Sequence, residues 1–179
     1  FLKTTGYLQT LCIAIMDRSV GSEGNRKATK YFKDILQSFD WNIETQEFDA
    51  VDWDDGGAQL ILNRTKFKVL VSPYSLGCNV KGEILPIQNI HELENSDITD
   101  KIILLHGEIA KEQIMPKNFV FYNPESHQKI ISLLEHKKPS AIICATGRNS
   151  AVAGGVYPFP LIEDGDFNIP SVYMTEEEG

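Results

Sequence analysis

The chain has 179 residues, with 17 Lys and Arg against 25 Asp and Glu, and a formal net charge of -8. So acidic a chain lacks the dense basic patch that displaces counterions, which argues against nucleic acid or an anionic membrane as partner. Its 42% apolar and 23% charged residues are a globular composition, able to bury roughly 70% of the unfolded surface in one or two domains, and no apolar run reaches the roughly 18 to 20 residues of a membrane span.

In chain order, Leu8, Leu11, Cys12, Ile15 and Met16 recur at helical spacing and predict one apolar stripe. Ser22 is a predicted N-cap for a second helix, whose apolar face would run through Ala28, Tyr31, Phe32, Ile35, Leu36 and Phe39. Asn42 to Phe48 reads as a short strand, and the acidic, glycine-rich turn from Asp52 to Gly57 marks a boundary. Beyond it the alternation in Lys66 to Val71 predicts a half-buried strand, followed by a turn over Ser72 to Asn79. Val80 to Ile87 reads as a strand cut by Gly82 and Pro86, His91 to Asp100 as a polar loop, and Lys101 to Leu105 as a core strand.

The next segment carries the strongest architectural pattern. Phe119 to Tyr122 reads as a strand, and Asn123 as the N-cap of a helix with Pro124 at its first position. Ile130, Ile131, Leu133 and Leu134 would form that helix's buried face, and His136, Lys137 and Lys138 its cationic end before Pro139. Ala141 to Ala145 is a second core strand, which makes a strand-helix-strand unit with a parallel crossover. A loop at Gly154-Gly155, a turn from Glu163 to Asp166 and a strand from Ile169 to Met174 complete the chain.

Local signatures of chemistry are sparse. His91, His106, His127 and His136 form no close pair and no HExxH pattern, so no metal ligand is predicted. Cys12, Cys78 and Cys144 make no CxxC motif, and their odd number gives no disulfide framework. There is no GxSxG elbow, and Glu176 to Glu178 read as a solvated acidic end, so no catalytic residue is predicted either. The loop from Thr146 to Val156, which contains Arg148, matches neither phosphate-binding glycine pattern, and Tyr157-Pro158-Phe159-Pro160 reads as a packed lid or an exposed recognition surface.

Two stretches carry a resemblance. Arg18-Ser19-Val20-Gly21-Ser22-Glu23-Gly24-Asn25, leading into the Tyr31-Phe32 helix, resembles the opening of the di-zinc aminopeptidases of metallopeptidase family 28. Asp100 to Gly107, Ser140 to Cys144 and Phe167 to Val172 resemble the three strands of the protease-associated (PA) domain that members of that family carry as an insertion, although Asp100 stands where the usual pattern has glycine. The resemblance implies an α+β fold: two helices and an edge strand (Trp41 to Phe48) of the peptidase domain over residues 1–55, then a PA domain, an open barrel or curled sheet flanked by helices, over 56–179. It implies peptide substrates and two zinc ions for the parent enzyme, whose metal ligands follow the PA insertion, and no cofactor within these residues. Arg148, Tyr157 and Phe159 are the candidate binding residues of the PA surface. The apolar faces of residues 1–50 are expected to drive self-association or to be partly disordered. Two rival expectations are a free-standing peptide-binding module and a flavodoxin-like ligand-binding domain with one continuous parallel sheet. The chain is expected to be soluble, cytoplasmic or secreted.

Overall fold

The computed structural model describes residues 2–49, 53–115, 117, 119–146 and 168–179. It divides into two compact units, Phe1–Asp54 and Asp55–Gly179. Among the described residues the content is mixed, four α-helices and two sheets, in keeping with an α+β class.

The first unit contains α1 (Leu2–Ala14) and α2 (Glu23–Gln37). α1 ends before Ile15 and Met16, and of the predicted stripe Leu11 is buried while Leu8 and Cys12 are exposed. The Arg18 guanidinium covers this end, donating to the Ile15 carbonyl and to the Leu11 carbonyl, which also accepts the Ile15 N–H at 3.2 Å. Asp17 accepts both the hydroxyl and the backbone N–H of Ser19, and the hydroxyl bond above all holds its carboxyl below the usual range. Ser22 caps α2 as expected, its hydroxyl accepting the Asn25 N–H at 3.0 Å.

Gly24 completes this turn, because a Cβ there would overlap the carbonyl oxygen of Asp17. Gly24→Ala is therefore expected to destabilise the first unit by about 1–3 kcal/mol, the usual scale of overpacking. Gly6→Ala, inside α1 with open space around the added methyl, should instead stabilise it by about 0.5–1 kcal/mol. Amide exchange across α1 and α2 reads both, and equal effects of the two substitutions would refute the close approach.

The strand expected over Asn42 to Phe48, and with it the edge strand from Trp41, is not formed: residues 41–49 enter no ladder. A strand exists only as one side of a ladder, and no described residue supplies the other. Phe48 accordingly stands 81% exposed.

The second unit is organised on a five-stranded sheet of order β3-β7-β6-β5-β4, formed by β3 (Leu70–Val71), β4 (Ile84–Ile87), β5 (Ile102–Leu105), β6 (Ala141–Thr146) and β7 (Ser171–Thr175). β4 to β7 pair in parallel, and β3 closes the β7 edge antiparallel. Alternate residues serve two apolar clusters. Ile103, Leu105, Ile142, Cys144 and Tyr173 join the helical side with Ile130, Ile131 and Leu134, while Ile102, Ile143, Ala145 and Met174 face the other way. Leu60 and Phe67 cover that second face, brought there by the hairpin β1 (Leu60–Leu62) and β2 (Thr65–Phe67). Burial on both faces explains why the central strands read as unbroken apolar runs.

The hairpin splits the strand expected over Lys66 to Val71. Asn63 and Arg64, both at positive φ (50° and 71°), form the two-residue turn that lets Leu62 face Thr65. The expected alternation survives the split: Phe67, Val69 and Val71 are half-buried, and Lys66, Lys68 and Leu70 exposed.

The first half of the polar loop expected from His91 to Asp100 is helix, in α3 (Ile90–Asn95). Its start is a reciprocal cap: Asn89 Oδ1 accepts the Glu92 N–H at 2.9 Å, and Glu92 Oε2 accepts the Gln88 N–H at 2.7 Å. Asp100 follows at φ 58°, in the left-handed region where glycine is unstrained and Asp is tolerated.

α4 (Glu125–Lys137) buries Ile130, Ile131 and Leu134, with Leu133 half-buried, as its spacing predicts. Its N-cap is Pro124 and not Asn123, whose side-chain amide is drawn to the Lys117 carbonyl at 2.6 Å. The strand expected at Phe119 to Tyr122 is also absent, with Val120 84% and Phe121 88% exposed. The crossover is real but starts one element earlier, from β5, which pairs in parallel with β6. An aromatic, β-branched tetrapeptide has strand propensity, but propensity alone makes no strand, and among the described residues no strand pairs with this segment. The last strand, expected from Ile169, runs from Ser171 to Thr175.

Candidate functional site

A groove of about 400 Å³ lies on the helical side of the second unit's sheet. Ile90 and His91 reach it from the first turn of α3, and Glu108 and Ile109 from the 3-10 turn Gly107–Ala110 after β5. Lys111, Glu112 and Ile114 follow on the connecting segment, and Ser126, His127 and Ile130 come from α4. Local folding sets the walls: the cap at Asn89 aims α3, and the Ile109 N–H donates to the Gln88 carbonyl at 3.0 Å, tying the 3-10 turn to the end of β4.

His127 is the buried polar group of this groove, 4% exposed. Its Nδ1 accepts the Met115 N–H at 3.1 Å, which assigns the ring proton to Nε2 in a neutral imidazole. Nε2 lies 3.5 Å from Glu112 Oε1, too long for a firm hydrogen bond. The Tyr122 ring meets the imidazole edge-on at 6.4 Å and 85°, which sets the exposed aromatic stretch beside the groove. Across it, Glu108 and Lys111 pair at 3.6 Å.

The four histidines stay scattered in role. His127 is buried in the groove, His91 sits exposed on its wall, His106 precedes the 3-10 turn, and His136 is exposed in the last turn of α4. Among the described residues no three His, Cys, Asp or Glu side chains converge on a point that could hold a metal ion. Cys144 lies in β6 with its thiol pushed well above its ordinary pKa by burial, which leaves it unreactive. Cys12 and Cys78 are exposed, and Glu176 to Glu178 form an exposed turn. Arg148, Tyr157 and Phe159, the Gly154-Gly155 loop and the Glu163 to Asp166 turn lie outside the described residues.

The groove was not legible in the sequence because Glu112 and His127 are fifteen positions apart and belong to no motif. One signal for its wall was present, the Asn89-x-x-Glu92 capping pattern that announces α3. Among the described residues no helix is long and apolar enough to cross a membrane.

No protein-family model and no curated protein sequence matches the chain. Its fold is similar to that of the aminopeptidase from Aneurinibacillus sp. strain AM-1, with a TM-score of 0.58 at 19% identity. The match covers 97% of this chain and 38% of that one, so the chain spans under half the length of the protein whose fold it shares.

Proposed function

We propose that the chain is the non-catalytic front of a zinc-dependent aminopeptidase, in which residues 1–55 belong to the peptidase domain. Residues 56–179 would be a PA domain of open-barrel kind that restricts or steers peptide substrates at the catalytic cleft. The observation that carries this reading is the shared fold with an aminopeptidase over 97% of the chain. The Arg18–Asn25 turn supports it, since Arg18 bonds carbonyls at the end of α1, Ser22 caps α2 and Gly24 leaves room for the Asp17 carbonyl between them. Hydrolysis would depend on a metal-activated hydroxide and a carboxylate base in the rest of the parent enzyme.

The test is activity on aminoacyl p-nitroanilides. The 179-residue chain supplied with zinc or cobalt should release no more product than a blank, whereas a version extended through the downstream coding sequence should be active and lose activity to a chelator. Turnover by the short chain that survives repurification would overturn the reading. A free-standing peptide-binding module is favoured by one observation, that the second unit builds apolar clusters on both faces of its own sheet. A coding sequence whose continuation lacks the metal ligands expected after the PA insertion would select that alternative.

Self-association belongs to the same reading. Phe32, Phe39, Trp41 and Phe48 are exposed in the first unit, and large apolar side chains left in water favour association. Light scattering should show the chain larger than a monomer. A strict monomer with slow amide exchange throughout residues 1–50 would contradict this.

A further inference from the structure

We infer that the groove between α3, the 3-10 turn and α4 binds a primary ammonium group carrying an aliphatic body. That chemistry is presented by a free branched amine or by the aliphatic first residue of a peptide. The inference stands on the groove alone and does not rest on the peptidase context proposed above.

Ile90, Ile109, Ile114 and Ile130 give the groove an apolar lining that favours burial of an aliphatic group. Of its charges, Glu108 and Lys111 face one another and cancel. Glu112 remains, and the ion-pair partner it has among the described residues is His127, which is neutral while Nδ1 accepts the Met115 N–H. A carboxylate beside an apolar wall is best matched by a cation, and an ammonium on an aliphatic chain supplies charge, donors and apolar body together. A ligand carboxylate would be repelled. His127 Nε2–H, loosely held by Glu112, is free to donate to a carbonyl next to the ammonium, a group that a peptide terminus has and a simple amine lacks.

The experiment is an amide-shift titration of the full chain with leucinamide, N-acetyl-leucinamide, glycinamide and isoamylamine. Leucinamide and isoamylamine should shift the amides of Ile90, Glu112, Met115 and His127. N-acetyl-leucinamide, without the charge, and glycinamide, without the aliphatic body, should not. Glu112→Gln should weaken leucinamide roughly ten- to hundredfold, the scale of a charged hydrogen bond, and Lys111→Gln should leave it unchanged or tighter. Leucinamide binding about two- to tenfold tighter than isoamylamine would identify a peptide terminus read by His127, and equal or tighter isoamylamine a free amine. Equal binding of the acetylated probe, an unchanged affinity in Glu112→Gln, or no groove shift with any probe would each overturn the inference. The acetylation comparison needs no variant, so it holds even if a substitution fails to fold.

Discussion

Leu134→Ala should destabilise the second unit by about 2–5 kcal/mol, the cost of removing buried methylenes and leaving a cavity that its neighbours only partly fill. Leu134 is fully buried on the sheet-facing side of α4, in one cluster with Ile103, Leu105 and Ile142. Those residues belong to the central strands β5 and β6, so the cavity opens between α4 and the sheet and not at an edge that could collapse. Denaturation followed by amide exchange in β6 reports the second unit separately. A loss below about 0.5 kcal/mol would place Leu134 outside a close-packed core and refute the crossover packing. Leu133→Ala, one position away and half-buried, should cost clearly less.

Lys137→Met should destabilise the same unit by about 1–3 kcal/mol, although it keeps most of the aliphatic stem. The Lys137 ammonium donates to the carbonyls of Leu93, Glu94 and Ser96 at 2.8, 2.6 and 2.7 Å, so a cation at the end of α4 serves as the C-terminal cap of α3. Carbonyls at a helix end have no intrahelical partner, and two of these three bonds are partly shielded from water, which makes their loss costly. The substitution should speed amide exchange in α3 more than in β5 and β6. Unchanged protection of α3 would show that the ammonium does not hold it. Lys129 and Glu94 form an ion pair between the same helices; Glu94 keeps 36% of its side chain exposed, and its bond to Lys129 holds its carboxyl below the usual range. A depressed carboxyl contributes stability that is present above its unfolded value and lost as pH falls through its folded one, so α3 should loosen further in acid.

The sequence by itself determined the elements whose signals are local or doubly apolar. Ser22 caps α2 because a hydroxyl three positions before a free N–H needs nothing from the rest of the chain. Lys101 to Leu105 and Ala141 to Ala145 are central strands because runs apolar on both sides can be buried only between two layers. The face of α4 was equally legible from spacing alone. Tertiary structure decided the rest. Phe119 to Tyr122 has strand composition and Asn42 to Phe48 reads as a short strand, yet neither is a strand, because pairing needs a partner edge that composition cannot supply. Asn123 lost its cap to Lys117's carbonyl, a competitor six residues away. The groove is the clearest case: Glu112, His127 and four isoleucines from α3, the 3-10 turn, the connecting segment and α4 form one binding surface only because the sheet docks those elements on the same face. Their chemistry lies in spatial proximity, and sequence separation carries no trace of it.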